Sequence, residues 1–454
     1  MSHFYRGIGR QYNLSMLKNF RRIYFVPIAL LLAIGIYYLP PVHSRLSWRL
    51  SELRTRIVYF LKPPDEAVFR PEQQADFESV LATTRAQYAL TLTPQAISSP
   101  LGASTPEPGP TPQPTITPTP LPATVMLDGV KYEDQHGHLN YCAPANFSMA
   151  LTFWGWDGNR DVVGKAVKPS DDDKNVMPYE LQDFVTDNVP GLKSAMRYGG
   201  DIDTIKRLVS AGFPLVAEKG YYELDYTGKM GWMGHYQFVT GYDDTKDMVI
   251  VQDTYFDGPD FQIAYDEFLD GWRSFNYVFV VVYPAERENE LMTVLGPLAD
   301  TDNAARISLE RAQAEGQSLS GINQFFAWFN VGSSHVALRQ YGDATYAYDY
   351  AFQLYDGLSG DNSIRPYRMM WYQTGPYFAY YYSNRFSDVI NLATTTLEDT
   401  ISKPVLEESL IWRGRAYYMA GNTQAAIKDY RAALKVHPNW APAIQALQDL
   451  GVQP

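Results

Sequence analysis

Cys142 is the single cysteine of the chain. That excludes an intramolecular disulfide framework and any cysteine-rich zinc or iron–sulfur site, and it leaves nucleophilic chemistry open. The residue stands in Asn140-Tyr141-Cys142-Ala143-Pro144-Ala145-Asn146, and apolar residues at 147, 150, 151 and 154 follow at helical spacing. Pro144 suits a first helical turn, where its missing N–H costs nothing. The pattern therefore puts Cys142 at a helix N-terminus, where the dipole and free amides favour thiolate over thiol and can donate to an oxyanion. A lone cysteine is more often an inert buried one, so the reading needs a base.

Two strand-like runs supply a candidate. Gly231 to Tyr242 contains His235, and the chain returns as Met248 to Tyr255, which contains Asp253. With Asp243-Asp244-Thr245 as a three-residue hairpin loop, Tyr242 pairs with Lys246 and His235 falls opposite Asp253. Facing cross-strand residues have Cβ atoms ~5 Å apart, close enough for a carboxylate to orient an imidazole. Each residue also has an ordinary structural reading: a hydrogen-bonded histidine beside a glycine turn, and a turn-forming aspartate at a strand end.

The ordered set resembles a known family. Cys142-Ala143-Pro144-Ala145 looks like the Cys-Gly-Pro-Ala helix start of the papain-like double-glycine peptidases that trim bacteriocin leaders, and of their wider relatives. Gly234-His235-Tyr236, Gly241-Tyr242-Asp243 and Asp253-Thr254-Tyr255 are similar to that family's His and Asp segments in order and spacing. The resemblance spans roughly 125–285 and implies an α+β papain-like domain, a Cys-bearing helix packed on an antiparallel sheet. It implies that Cys142 attacks a scissile carbonyl, His235 moves the proton and Asp253 fixes the imidazole. The family places an oxyanion-stabilising Gln shortly before the Cys; Gln135 is the candidate at a longer spacing, and Asn140 is the fallback. Ala143 in place of the family's Gly is a second departure.

No cofactor or metal is expected. His136 and His138 read as loop histidines, and Asp171-Asp172-Asp173 as a solvated loop or cap before Pro178. A Walker-type phosphate loop is missing from the sequence, so coupling to nucleotide-driven export is not implied. Gly228 to Gly234, with Trp232 and Met233, suggests a rim on the substrate cleft.

The elements that carry these residues lie in a chain of four parts. Residues 1–62 hold ten Lys/Arg against Glu52, and Ile23 to Val42 is an uncharged run of twenty residues, long enough for a transmembrane helix. Residues 63–124 hold a short helical stretch from Pro71 to Leu90 and a Pro/Thr-rich linker, in which thirteen of the eighteen residues from Thr105 to Pro122 are Pro or Thr. Such a run is an extended spacer, and it points to a body held outside the cytoplasm by a single-pass membrane anchor. Residues 125–285 form the papain-like part. Residues 286–454 form an all-α part resembling tetratricopeptide repeats. Its clearest unit runs through Gly414, Tyr417, Gly421, Ala426, Tyr430, Ala433 and Pro438, with weaker copies turning at Gly342 and Asn384. The Tyr-rich stretch Tyr377 to Tyr382 reads as core.

Net charge is −12 although the first 62 residues are basic, so an acidic body excludes a nucleic-acid partner. The combined expectation is a membrane-anchored cysteine peptidase acting on peptide or protein substrates, with repeats that recruit a protein partner or substrate. Its alternative is a catalytically silent peptide-binding scaffold.

Overall fold

The computed structural model describes residues 27–39, scattered positions between 42 and 61, residues 69–72, and residues 120–454 apart from 225–229, 256, 359–364, 399 and 401–402. It divides into two compact units, Met1–Val58 and Tyr59–Pro454. In the first, 27–37 is helical. The rest of the Ile23–Val42 run lies largely outside the described residues, and among the described residues no helix is long and apolar enough to cross a membrane.

The second unit begins, in its described part, at Phe69. This ring is buried against Phe352 and Tyr380, the Arg70 guanidinium pairs with Asp356, and the Glu72 amide donates to Asp388. Pro71 and Glu72 are not helical, and the remainder of the expected helical stretch lies outside the described residues. Residues 69–72 and 120–454 belong to one unit, and the Pro/Thr-rich run lies outside the described residues as far as residue 119.

From residue 124 the chain builds a seven-stranded sheet whose described pairings are all antiparallel. The elements, in order, are β1 (Thr124–Met126), α1 (Cys142–Phe153), α2 (Arg160–Val167), α3 (Pro178–Asn188), β2 (Leu192–Arg197), α4 (Ile202–Ser210), β3 (Leu215–Leu224), β4 (Met230–Asp243), β5 (Met248–Gln252), β6 (Phe261–Ala264), α5 (Tyr265–Arg273) and β7 (Phe279–Pro284). The strand order is β2-β7-β3-β4-β5-β6, with β1 on β4. Alternation along the strands feeds two cores. Val216, Phe238 and Val280 pack with α1, α2 and α3 on one face; Leu215, Val239 and Val281 pack with α4 and α5 on the other. The Cys-bearing helix thus lies on an antiparallel sheet, as the resemblance implied.

Helices follow from Glu288: α6 (Glu288–Leu295), α7 (Thr301–Ser318), α8 (Gly321–Ala337), α9 (Tyr341–Gly357), α10 (Met369–Tyr372), α11 (Gly375–Tyr382), α12 (Phe386–Glu398), α13 (Glu407–Met419), α14 (Thr423–Val436) and α15 (Ala441–Asp449). Three helix pairs turn at Arg339, Asn384 and Gly421, each at positive φ. The first differs from expectation: Gly342 lies inside α9, and the turn falls at Arg339. Gly414 is required for close packing of α13 on α14, since a Cβ there would sit 2.4 Å from the Tyr430 ring. Tyr377 and Tyr380 are fully buried, whereas Tyr382 is exposed.

The sheet and the helices share a core. Trp232 of β4 stacks on Phe275 and joins the cluster that holds Phe326 and Tyr348. The side chain read as a cleft rim is therefore buried. Asn276 is held between Ser308 and Ser334, and Gln373 donates to the Ser274 carbonyl.

Candidate active site

Cys142 is the first residue of α1, preceded by Asn140 at positive φ and by Tyr141 as an N-cap without a side-chain hydrogen bond. Cys142 is half-buried as a residue, and its thiol lies beside the His235 imidazole. Burial alone would push the thiol up. The His235 contact, its charge and the backbone amides of Tyr236 and Ala143 outweigh it, and the thiol lies below its usual range.

His235 is buried on β4 with its Nε2 3.1 Å from Asp253 Oδ2. An ionised carboxylate on Nε2 keeps the proton there and leaves Nδ1 for the sulfur. Desolvation opposes the imidazolium, but the hydrogen bonds to Asp253 and to Cys142 push His235 up to about 9. Burial likewise opposes Asp253 ionising, and its contacts with His235, Gln237 Nε2 at 2.8 Å and the Tyr255 amide at 2.8 Å hold it far below the carboxylate range. The lowered thiol and raised imidazole shift in the direction of a thiolate–imidazolium pair.

The geometry joins His235 to Asp253 by a route other than the expected register. β4 and β5 pair Tyr242 with Val249 and Asp243 with Met248, so four residues form the loop, and a bulge between Val239 and Gly241 shifts the pairing again. Asp253 lies past the end of β5 and is not directly opposite His235. Its loop is held by the Tyr132 hydroxyl on the Asp253 carbonyl and by the two side-chain contacts named above.

Gln135 is buried, and its backbone and Oε1 both bond Thr254, at 2.9 and 2.8 Å. It therefore sits next to the Asp253 loop, linked to Asn146 through the Thr254 hydroxyl. Asn140 is exposed in the turn before Cys142. Asn146 was not singled out from the sequence. It is fully buried one turn after Cys142, and its Nδ2 reaches the Cys142 carbonyl (2.9 Å), the Tyr236 carbonyl (2.7 Å) and Thr254 Oγ1 (3.2 Å). Its Oδ1 accepts from the Phe238 amide. One amide thus fastens the thiol-bearing helix to the histidine strand and to the Asp253 loop. A signal existed: an Asn four residues after the Cys, at the start of an otherwise apolar helix.

A cavity of about 410 Å³ is lined by Met177, Tyr179, Met196, Tyr198, Glu218 and Tyr372 among others; Cys142, His235 and Asp253 do not line it. Burial raises the Glu218 carboxyl well above its usual range. Glu218 and Tyr372 both lie within electrostatic reach of Cys142. Tyr372 comes from the helical half and packs over Gly234, where a Cβ would meet the Phe275 and Tyr372 rings at 2.7 and 2.9 Å. His136 and His138 occupy the exposed loop expected of them. Asp173 does not: it is buried rather than solvated.

Residues 127–280 match the Peptidase C39 like family, and residues 407–440 match the tetratricopeptide repeat. A Bacillus anthracis protein described as a C39-like peptidase is similar in structure, at 16% identity and a TM-score of 0.29, over 35% of this chain and 97% of that one. No curated protein matches the sequence. The chain therefore joins a C39-like peptidase segment to a tetratricopeptide repeat. These two modules suggest a peptide substrate and a protein-binding surface.

Proposed function

We propose that the protein is a cysteine peptidase in which Cys142 is the nucleophile, His235 the proton carrier and Asp253 the group that orients the imidazole. The observation that carries this reading is the His235 ring, bound through Nε2 to Asp253 at 3.1 Å with the Cys142 thiol beside it. The Cys142 thiolate attacks the scissile carbonyl carbon, and the oxygen takes the negative charge beside the uncapped N-terminus of α1. Gln135 is the proposed side-chain donor to that oxyanion. As the C–N bond breaks, the His235 imidazolium gives its proton to the leaving amine, and an acyl thioester remains. Water, deprotonated by His235, then releases the acid and restores the thiol. The repeats recruit the substrate or a protein partner. The Ile23–Val42 run anchors the chain in a membrane, with the body outside the cytoplasm.

The test is labelling of the full chain with an electrophilic peptidyl probe. Wild type should label rapidly, whereas Cys142→Ala and His235→Ala should not. Equal labelling of wild type and His235→Ala would identify an ordinary thiol and leave a silent peptide-binding scaffold. Alkaline extraction of membranes from expressing cells checks the anchor: recovery of the full-length chain in the soluble fraction refutes it.

A further inference from the structure

A second polar group is buried where the two halves meet. Asp173 precedes α3, Glu180 lies on α3, Glu407 and Glu408 open α13, and His437 follows α14; all five are buried. Asp173, Glu407 and His437 each bring one donor atom within 4.8 Å of the other two, and so do Glu180, Glu407 and Glu408. His437 Nδ1 lies 3.3 Å from Glu407 Oε1, 3.9 Å from Glu180 Oε1 and 4.0 Å from Asp173 Oδ2.

A further observation points to a missing ligand. Asp173 Oδ2, Glu407 Oε2 and Glu408 Oε1 are buried without a hydrogen-bond partner among the described residues, and the side chains of Asp173 and Glu407 are only 1% exposed. Lys168 and His437 face the Asp173 carboxylate, and Lys174 directs its ammonium to the Asp171 carbonyl.

We propose that Asp173, Glu407 and His437 bind a first-row divalent cation, zinc above all, which clamps the peptidase-like half to the repeat half. Tetrahedral zinc with bonds of ~2.0–2.2 Å holds its donors about 3.3–3.6 Å apart, and the three donor atoms, all within 4.8 Å of one another, draw together on binding. The imidazole selects zinc or manganese over calcium and magnesium, which take oxygen donors. Met177 and Tyr179, just after Asp173 in the chain, line the cavity of about 410 Å³. The ion would thus hold one wall of that cavity in place.

The experiment uses the full chain, stripped with a chelator and then titrated with zinc, manganese or calcium alone. Metal content by mass spectrometry and Tm are read together. The expected result is about one zinc per chain, a Tm that climbs with zinc concentration, a weaker response to manganese and none to calcium. Glu407→Gln and, separately, His437→Gln should each weaken zinc binding by at least about 100-fold, whereas the exposed-loop variant His138→Gln should bind as wild type does. Near-UV circular dichroism identifies any variant that fails to fold, and the other then carries the comparison. Three results would overturn the proposal: a Tm equal in chelator and in zinc, zinc uptake unchanged in Glu407→Gln, or a response to calcium only. A zinc-independent gain in Tm on Glu407→Gln would also overturn it, because it would identify carboxylates that share protons.

Discussion

Asp253→Asn removes one charge from the candidate site while keeping its shape. The imidazolium of His235 persists to about 9 instead of the ordinary 6.5, which corresponds to ~3 kcal/mol at 1.36 kcal/mol per pH unit. Cys142 shares that stabilisation with Asp253. A hydrogen bond to a charged group contributes about 1.5–3 kcal/mol, so losing the carboxylate should lower the His235 midpoint by ~1–2 pH units. The sign is fixed by linkage. A folded-state value above the unfolded one stabilises the protein fully below about 6.5, and the contribution is lost as pH rises through about 9. In Asp253→Asn that loss should therefore begin at lower pH. The direct assay is NMR of the imidazole carbons in the full chain, which has seven histidines. The His235 signal is assigned by its disappearance in His235→Gln. The alkaline limb of kcat/KM should move with it, and its plateau should drop ~10–100-fold. A His235 midpoint that stays at the wild-type value, or rises, would refute the argument that Asp253 holds the imidazolium.

Three further perturbations test the supporting structure. Asn146→Ala leaves the Phe238 amide and the Tyr236 carbonyl unpaired in the core, and urea unfolding should show a loss of about 2–4 kcal/mol. Gly234→Ala drives a methyl group into the Phe275 and Tyr372 rings; an overpacking cost of ~1–3 kcal/mol is expected, with a shift in Tyr372 visible in a crystal structure. Arg385→Met strips the guanidinium from buried Asp349 and Asp388 and should cost about 3–5 kcal/mol at neutral pH. Burial already raises Asp349 to about 6 despite Arg385, so that deficit should shrink in unfolding curves taken as pH falls through this value, because a protonated Asp349 no longer needs a cation.

The sequence revealed the candidate residue types more readily than the geometry that joins them. The Cys142 helix is legible because its apolar spacing and Pro144 are local signals. His235 and Asp253 came from strand pattern, and their proximity is real, but the argument for it assumed an unbroken ladder. Asp247 at positive φ lengthens the turn, and the bulge near Thr240 shifts the pairing; neither leaves a mark in hydropathy alternation. Trp232 looked like a rim residue because it sits among glycines, yet those glycines are what let Phe275 and Tyr372 approach. The repeat turns at Asn384 and Gly421 were legible, since both residue types tolerate positive φ. Arg339 carries no such signal, and the turn was read three residues late. The buried acidic group was the least legible of all. Asp173 and Glu407 are far apart in the chain and each looks solvated alone, so their burial is a property of tertiary packing.

Phe69, Arg70 and Glu72 give the Thr/Pro-rich run an unexpected property. A protease that nicks the chain between Thr105 and Pro122 severs one covalent connection, but the upstream fragment stays seated through the Phe69 ring and the Arg70–Asp356 pair. Cutting that run leaves the Phe69 and Arg70 contacts with the body in place. Parting the two fragments also requires the aromatic plug to be withdrawn.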